Sequence, residues 1–386
     1  MRVCVLGEGG REHALRHVLA RTATVVERTD DADLVVVGPD QMVVDGVADR
    51  LRADGRLVFA PGADGGRLEG SKAWMKEVLL AAGIPTARHG VFTSVEGALE
   101  FLKSMAAPYV IKTDGLAAGK GVLVTESLAD AADDMAAKLS GAAFGPAGRT
   151  VVIEEGLAGP ELSVLAVCNG REFVLLPAAR DHKRLGEGDS GPNTGGMGAY
   201  SPVPGADGLD VDDIIDRTLA ELTRRGIDYR GVLYAGFMLT DDGPKVLEYN
   251  VRFGDPEAQA VLPRLTSDLA ELLAAAASGR PLPEVTVSSD AAVTVALAAA
   301  GYPVAARAGD TINGVDDAEA LAGVLVFRAA ATTNPGGELV TGGGRELHVT
   351  ALAPTLPAAR ERAYAAVDRI TFEGRQCRRD IAAGAR

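Results

Sequence analysis

The chain has little of the chemistry that marks disulfide-rich or zinc-binding proteins. Its 386 residues include three cysteines, Cys4, Cys168 and Cys377, which lie far apart and form no CxxC pair. Neither a disulfide framework nor a zinc knuckle is indicated, and a reducing cytoplasm is the expected compartment. The five histidines are scattered, and no Ser/His/Asp or Cys/His arrangement stands out. Acyl-enzyme chemistry is therefore not favoured.

Long apolar runs and a basic excess are also missing. No run approaches the ~20 residues that span a bilayer, and MRVCVLGEGG lacks the apolar core and cleavage site of a signal peptide. Lys plus Arg number 39 against 53 Asp plus Glu, which gives a formal net charge of -14. This balance disfavours nucleic acid and membrane as partners, and it makes any local cluster of Lys and Arg informative.

What the chain does contain is typical of a globular protein, with 47% apolar and 24% charged residues. At roughly 150 residues per domain, two or three domains are expected. RVCVLG is an apolar strand that turns into a helix through GEGGREHAL, and apolar strands follow at 31–38 and 56–62. Strands that are apolar throughout predict a small parallel α/β domain ending before Ser71.

The remainder of the chain predicts a mixed architecture. A helix begins at Ser71, an N-cap residue, and stops at Gly83. Several strands follow, and then a segment at 181–204 is rich in Gly, Pro and Ser without periodicity. Such a long loop is expected to be a functional lid or a linker. Strands after 291 and a closing helix complete an α/β and α+β multidomain protein.

The segment VIKTDGLAAGKGVLV contains Lys112, Gly115, Gly119, Lys120 and Gly121. Glycines let backbone amides approach phosphate, but the spacing and the strand-loop-strand context do not fit a P-loop. The pattern predicts a phosphate-covering hairpin, with a surface hairpin of solvated lysines as the alternative. Lys112 favours the first interpretation, because a lysine among apolar strand residues needs an anion to stay charged.

In KVLEYNVRFGDPE, the alternation of a strand places Glu248, Asn250 and Arg252 on one face. A carboxylate and an amide oxygen suit Mg2+, which takes few protein ligands and fills its shell with water and phosphate oxygens. Arg252 would then lie beside a transferring phosphate. An exposed polar strand face is the alternative.

Two further segments carry weaker signals. RTVVIEEGLAGPEL predicts a strand end at Glu154 and Glu155, then a turn and a returning strand with Glu161, which could hold an adenine and its ribose with Leu157 against the ring. A hairpin with surface carboxylates explains the pattern equally well. Lys72 lies in the first turn of its helix, where a cation is unfavourable unless an anion is nearby.

The turn GEGGREHAL could bind a phosphate through free amides of the following helix, with Arg11 adding charge. The dinucleotide pattern GxGxxG fails, because Glu12 occupies the place of the third glycine. His13 is equally well explained as a packed helix residue.

The segments GGREHAL, LEGSK, VIKTDGLAAGKGV, DHKR, GPNTGGMGAYSP and LEYNVRFGDPE occur in one order. In that order and spacing they resemble the phosphoribosylamine glycine ligase (glycinamide ribonucleotide synthetase) family, ATP-grasp enzymes of purine biosynthesis. The resemblance runs from Gly7 to about Ile381. It implies the domains 1–70 (N-terminal α/β, shortened), 71–290 (ATP-grasp core, small lobe about 86–160) and 291–386 (C-terminal, β-rich).

The implied reaction joins glycine to 5-phosphoribosylamine with ATP, through a glycyl phosphate, giving glycinamide ribonucleotide, ADP and phosphate. The implied enzyme is a cytoplasmic monomer or weak homodimer that uses Mg2+ or Mn2+. By the resemblance, the catalytic residues are Arg252 and Lys120, and the metal ligands are Glu248 and Asn250. The ATP-binding residues are Lys72, Lys112, Lys120, Glu154, Glu155, Leu157 and Glu161. The substrate-binding residues are Gly9, Gly10, Arg11, Glu12, His13, Asp181, Asn193, Thr194, Gly195, Gly196 and Asp255.

One departure from the family lies between GREHAL and VVVGPD. About 16 residues, Arg16 to Asp31, replace an additional strand, a PGN-type loop and a helix. That loop contributes to the ribose-phosphate side in the family, so its replacement affects the expected binding site of the acceptor more than that of ATP. The alternatives are a diverged ATP-grasp carboxylate-amine ligase with another acid or amine, a non-catalytic ATP-binding or interaction protein, and a dinucleotide-dependent oxidoreductase.

Overall fold

The computed structural model describes residues 1–117, 121–141, 148–206 and 208–385. A parallel sheet of four strands and three antiparallel sheets of four, five and four strands contain most of its strands. This mixture confirms the predicted multidomain α/β and α+β class. Across these described residues, no helix has both the length and the apolar character needed to cross a membrane.

The N-terminal region forms the parallel sheet. Its elements are β1 (Arg2–Leu6), α1 (Gly10–Leu19), β2 (Thr24–Val26), β3 (Leu34–Val37), α2 (Asp40–Val44), α3 (Val47–Ala53), β4 (Val58–Phe59) and α4 (Ala63–Gly70). The strand order is β2-β1-β3-β4, with every pair parallel. The apolar character of these strands therefore predicted their arrangement correctly.

The expected loss of a strand between α1 and β3 is wrong. Strand β2 is present and pairs with β1 through Arg2 and Thr24. Only a single 3-10 turn, Thr29–Asp31, leads on to β3. Three residues are too few for a periodic signal, but pairing along an existing strand satisfies their backbone groups.

The next segment builds a four-stranded antiparallel sheet covered by helices. Its elements are α5 (Lys72–Ala81), β5 (His89–Phe92), α6 (Val95–Lys103), β6 (Tyr109–Thr113), β7 (Val122–Thr125), α7 (Leu128–Leu139) and β8 (Val151–Glu155). The strand order is β5-β8-β6-β7. Ser71 caps α5 as predicted, since its hydroxyl accepts a hydrogen bond from Trp74 N at 3.1 Å. The strand-loop-strand prediction is also confirmed, because β6 pairs with β7.

A second antiparallel sheet faces the first. Six strands lie in the segment 161–201: β9 (Glu161–Asn169), β10 (Phe173–Leu175), β11 (Arg180–Asp181), β12 (Arg184–Gly186), β13 (Ser190–Asn193) and β14 (Gly198–Ser201). After them come α8 (Val211–Arg224), β15 (Arg230–Thr240), β16 (Gly243–Asn250), α9 (Glu257–Val261) and α10 (Leu269–Ser278). The sheet order is β10-β9-β15-β16. Since β8 and β9 belong to different sheets, the alternative of a hairpin with surface carboxylates at Glu155 and Glu161 is wrong.

The prediction of an irregular segment at 181–204 is also wrong. Strands β12 and β13 pair with each other, and β11 pairs with β14. Glycine and proline hide the alternation in this segment, so only pairing with distant strands reveals its order.

The C-terminal region completes a five-stranded antiparallel sheet. Its elements are β17 (Ala291–Ala298), α11 (Val315–Glu319), β18 (Val324–Arg328), β19 (Thr332–Thr333), β20 (Leu339–Val340), β21 (Arg345–Ala353) and α12 (Leu356–Val367). The sheet order is β11-β14-β17-β21-β18, so two strands come from the segment 180–201. The C-terminal sheet is thereby joined to the segment predicted to line the acceptor pocket.

Buried apolar side chains form three clusters in the described structure. One is confined to the β5-β8-β6-β7 sheet and its helices, and includes Ile111 and Met135. Another joins the N-terminal sheet to α10 and the strands β9 and β15. The largest includes residues of α5, β16 and both strands β17 and β21. The small sheet thus has a core of its own, while the other layers share cores.

Leu297→Ala tests the core of the C-terminal sheet. Leu297 on β17 is fully buried and pairs with Leu347 on β21. We expect the free energy of unfolding to fall by roughly 2–5 kcal/mol, from lost burial and the residual cavity. Urea titration followed by circular dichroism measures it. Leu80→Ala is the control, because Leu80 is 64% exposed. An equal loss in the two variants would contradict the assignment of this core.

Candidate active site

The predicted metal face of β16 carries Glu248, whose carboxyl lies near four cations. Burial opposes ionisation of Glu248, but the charges of Lys183, Lys112, Lys72 and Arg252 outweigh it and lower the pKa of the carboxyl. Lys183 Nζ lies 3.7 Å from Glu248 Oε1. Glu248 is therefore ionised at neutral pH, although its side chain is only 36% exposed.

Lys112 reaches the same region from β6. Its Nζ donates a hydrogen bond to Leu247 O at 3.1 Å and lies 3.0 Å from Glu154 Oε1. The sequence required an anion beside Lys112, and the protein supplies one in Glu154, which is 2% exposed. Lys76 Nζ lies 3.2 Å from the same carboxylate oxygen, and burial lowers the pKa of Lys76 to about 8. The Glu154 carboxylate is thus shared by two buried lysines, a contact that the sequence did not predict.

Lys72 approaches the glycine-rich segment from the start of α5. Its Nζ donates to Gly115 O at 3.1 Å, and burial lowers the pKa of Lys72. Asp114 accepts a hydrogen bond from Ala73 N at 2.7 Å, so the segment is tied to the first turn of this helix. Lys120, the other lysine predicted here, lies outside the described residues.

Arg252 is held by a residue to which the sequence assigned no role. Its Nη2 donates to Glu69 Oε1 at 2.8 Å and to Asn250 Oδ1 at 3.2 Å. Glu69 Oε2 in turn accepts from Val251 N at 2.8 Å. The Nε of Arg252 is buried without a hydrogen-bond partner. Burial alone would lower the pKa of Arg252, but the charge of Glu69 raises it, so the guanidinium stays charged.

Lys183 contacts two carboxylates, those of Glu161 and Glu248. Its Nζ donates to Glu161 Oε2 at 2.6 Å. Burial raises the pKa of Asp181 to about 8, with Lys183 opposing the rise and Glu257, Glu161 and Glu248 adding to it. Asp181 is therefore mostly protonated at neutral pH. Lys183 belongs to the DHKR motif, but the sequence did not identify it as a site residue.

The connection from β8 to β9 carries two other predicted residues. Glu155 Oε1 accepts a hydrogen bond from Arg88 N at 2.9 Å, and Leu157 is half-buried. This connection runs from one antiparallel sheet to the other.

A second cluster forms where α1 meets the C-terminal sheet. A Cβ placed on Gly10 would lie 2.5 Å from His348 Nδ1 and 2.8 Å from Gln259 Nε2. A Cβ on Gly9 would lie 3.8 Å from Asp255 Oδ2. Only a residue without a side chain allows the helix to start so close to these groups.

Asp255 and two glycines of GPNTGGMG contact the same side chain, that of Arg345. Arg345 Nη1 donates to Gly195 O at 2.7 Å, to Gly196 O at 3.0 Å and to Asp255 O at 3.2 Å. Burial alone would raise the pKa of Asp255, but Arg345 and His348 lower it. Arg345 was not predicted, because it lies 90 residues from Asp255 along the chain.

Other predicted substrate residues bind protein groups. Arg11 Nε donates to Glu12 Oε1 at 2.7 Å, and both side chains are buried. His13 Nδ1 accepts a hydrogen bond from Arg328 N at 2.8 Å. Their assignment to the substrate stays a prediction.

Asn193 and Thr194 lie beside the two clusters. Asn193 pairs with Arg184, and Thr194 Oγ1 donates to Lys183 O at 2.8 Å. The segment from Asp181 to Gly196 therefore connects the carboxylates around Lys183 with the Asp255 cluster. The described residues contain no group of three or more His, Cys, Asp or Glu side chains suited to a metal ion.

The Asp255 cluster predicts an acid-sensitive fold. Burial lowers the pKa of His348 from 6.5 to about 4. Between these pH values His348 is protonated in the unfolded chain and neutral in the folded chain. The free energy of unfolding therefore falls as the pH drops from 6.5 towards 4. His348→Gln should remove up to about 3 kcal/mol of that dependence. Urea midpoints across this pH range measure it, and the half-buried His89→Gln is expected to change the slope less. An unchanged slope for His348→Gln would contradict the assignment.

Comparison with known proteins identifies the family. Residues 70–258 match the family model of the phosphoribosylglycinamide synthetase ATP-grasp (A) domain, and residues 292–384 match that of the C domain. The phosphoribosylamine-glycine ligase of a Nostoc species is 42% identical over 421 aligned positions, covering 99% of each chain. That of Streptomyces coelicolor is 44% identical over 423 positions, covering 100% of this chain and 99% of the relative.

Comparison with solved structures gives the same family. The crystal structure of phosphoribosylamine-glycine ligase from Thermotoga maritima has a TM-score of 0.88 at 36% identity, covering 99% of this chain and 100% of that one. A biotin carboxylase from Campylobacter jejuni has a TM-score of 0.70 at 15% identity, covering 97% and 92%, a likeness of fold alone. The chain thus belongs to the phosphoribosylamine-glycine ligase family of ATP-grasp ligases.

Proposed function

We propose that the chain joins glycine to 5-phosphoribosylamine at the expense of ATP, giving glycinamide ribonucleotide, ADP and phosphate in purine biosynthesis. The observation that carries this proposal is the ionised Glu248 among four cations, which come from α5, from β6, from the connection between β11 and β12, and from the end of β16. Family membership and the cluster of Gly9, Gly10, Gly195, Gly196 and Asp255 support the same reaction.

The charges around Glu248 suit a nucleotide that arrives with a metal ion. Glu154 lies against Lys112, Glu69 against Arg252 and Glu161 against Lys183, so the protein neutralises most of its own cations. A free triphosphate would bring a large negative charge into this balanced site. We assign the additional positive charge to Lys120 and to Mg2+ or Mn2+.

Glu248 and Asn250 fit such an ion. The low pKa of Glu248 provides an ionised carboxylate. The amide oxygen of Asn250 accepts one hydrogen bond from Arg252 and has a second lone pair free for an ion. Two protein oxygens suit Mg2+, whose remaining positions go to water and phosphate oxygens. When bound, the ion would withdraw charge from the phosphate oxygens.

The proposed first step forms a bond between a glycine carboxylate oxygen and the γ-phosphorus of ATP. The bond from that phosphorus to the bridging oxygen breaks, and its electron pair leaves with ADP. Arg252 stays charged, so its guanidinium adds positive charge beside the transferred group. Lys120 would supply a further cation from the glycine-rich segment.

In the second step the amine nitrogen of phosphoribosylamine attacks the carbonyl carbon of glycyl phosphate. The carbon-oxygen bond to phosphate breaks, and the amine proton passes to the departing phosphate. We place this step beside Asp181, Asn193 and Thr194, the residues that connect the two clusters. The residues Arg11, Glu12 and His13 would shape the ribose-phosphate side through the helix that they begin.

The intermediate hydrolyses in water, so both steps need a closed cleft. We assign the exclusion of water to the paired strands β6 and β7 and to the strands β11 to β14. Adenine and ribose are assigned to the connection from Glu154 to Glu161, with Leu157 against the ring. Glu154 would act there through the lysines that it holds.

A diverged carboxylate-amine ligase is the second candidate. It is favoured by the alignments of 421 to 423 positions, which open gaps in a chain of 386 residues, and by the single 3-10 turn between β2 and β3. Such an enzyme would keep the acyl phosphate and change the acid or the amine.

Two attributes of the proposed enzyme follow from the sequence and the family. We assign it to the cytoplasm, a compartment that suits the three free cysteines. We propose that it works as a monomer or a weak homodimer.

Phosphate release from ATP, Mg2+ and glycine should require freshly made phosphoribosylamine. Turnover that depends on both substrates supports the first candidate, and turnover only with another amine or acid supports the second. ATP binding without turnover on a panel of acids and amines would contradict both.

Glu248→Ala and Asn250→Ala should each lower kcat by at least about a hundredfold, because each removes an oxygen assigned to the ion beside the transferred phosphoryl group. The control is Glu271→Ala on α10, whose partly exposed carboxylate pairs with Arg280. Phosphate release against Mg2+ concentration measures the effect, with circular dichroism to confirm folding. Wild-type metal dependence in both site variants would remove the metal assignment.

A further inference from the structure

The segment from Glu187 to Gly196 is fastened at both ends by arginines from the C-terminal region. At its first end lies Arg378, whose side chain is 1% exposed. Arg378 Nη1 donates to Asp189 Oδ1 at 2.7 Å and to Arg184 O at 3.2 Å. This buried guanidinium therefore contacts both strand β12 and the turn that connects β12 to β13.

Arg378 is itself held in place. Its Nε and Nη2 donate to the two carboxylate oxygens of Asp380, at 2.8 and 2.7 Å. Asp380 Oδ2 also accepts a hydrogen bond from Gly188 N at 2.9 Å, and Glu187 Oε1 accepts one from Arg379 N at 3.2 Å. The turn of the hairpin is thus fixed by a run of residues at 378–380.

Arg345 fastens the other end. The three carbonyl oxygens that it binds come from Gly195, Gly196 and Asp255, and its Nη2 lies 3.2 Å from Asp255 Oδ1. Gly196 has a φ of +108°, and a side chain there would collide with Pro256. The two backbones are therefore packed directly on each other, and one guanidinium joins them.

The turn before Arg345 is also organised. The carboxylate of the fully buried Glu346 accepts hydrogen bonds from Gly342 N, Gly343 N and Gly344 N at 2.8 to 2.9 Å. A planar guanidinium on such a fixed turn can bond several carbonyls at once, which a lysine ammonium on its flexible stem does not reproduce.

We propose that Arg345 and Arg378 are positioning residues that hold the segment 187–196 in the shape required by the amine acceptor. The inference rests on the proposed function in assigning this segment to the acceptor. All three guanidinium nitrogens of Arg378 and both Nη atoms of Arg345 already contact protein acceptors, so we assign both residues to the segment and not to the substrate. Without these contacts, the segment would have to be ordered each time the acceptor binds, at a cost in conformational entropy.

We expect variants of these anchoring residues to affect the binding of one substrate, phosphoribosylamine. Lys72, Lys112 and Arg252, three of the four cations around Glu248, lie outside the segment 181–196, so loss of either anchor should change ATP binding far less than acceptor binding. Arg345→Lys, Arg378→Lys and Asp189→Asn should each raise KM for phosphoribosylamine, the first two by at least about tenfold, since small displacements near a reacting group are costly. Asp189 has a φ of 53°, a conformation that asparagine also adopts, and its side chain is 71% exposed, so Asp189→Asn should fold normally.

The experiment measures KM for each substrate with the other two saturating. The control is Arg369→Gln, since Arg369 donates to Asp317 O at 2.7 Å on an exposed part of the same region. A rise in KM for phosphoribosylamine, with KM for ATP within about twofold of wild type, supports the proposal. An unchanged acceptor KM in all three variants, or an equal rise for ATP, overturns it.

A second measurement is independent of turnover. Limited trypsin digestion reports cleavage after Lys183 and Arg184, which flank the anchored hairpin. We expect these cuts to be several-fold faster in the anchor variants than in wild type or Arg369→Gln. Equal rates would overturn the inference even if the wild-type enzyme accepted phosphoribosylamine. If the anchor variants are cut faster but the wild-type enzyme does not turn over phosphoribosylamine, the role of the two arginines in holding the segment is supported and the proposed function is contradicted.

Discussion

The site depends on keeping buried charges in balance. Taking an isolated carboxylate or ammonium group out of water is far more costly than any single contact in a folded protein, so buried charges occur with partners. Here Glu154 lies between Lys76 and Lys112, and Glu69 binds Arg252, while Lys112 and Arg252 also act on Glu248. Removing one partner would leave the others uncompensated, so the group functions as a unit.

This balance also joins the separate layers of the fold. Glu69 comes from the N-terminal region, Lys112 from the small antiparallel sheet, and Glu248 with Arg252 from the end of β16. A ligand that changes the charge at this point acts on all three layers at once. The small sheet has its own apolar core, so it can change its approach to the cleft without repacking the others.

The second cluster works by close backbone approach more than by charge. The start of α1 lies against His348 and Gln259, and Gly196 packs on Pro256. Side chains are excluded at these contacts, so main-chain groups line the cluster, with Arg345 binding their carbonyl oxygens. Recognition of a polar acceptor by such a surface requires the backbone to be fixed in advance.

The sequence by itself determined the parallel N-terminal sheet, the capped helix at Ser71, the β6–β7 hairpin and the family, because periodicity, caps and motifs are local signals. It also identified Lys112 and Glu248, which stand in motifs. Only the tertiary structure decided the strand order within 180–201, the separate sheets of β8 and β9, and the partners Glu69, Lys183 and Arg345. These depend on pairing between residues distant along the chain, and a single sequence carries no signal of which distant groups will satisfy one another's hydrogen bonds and charges.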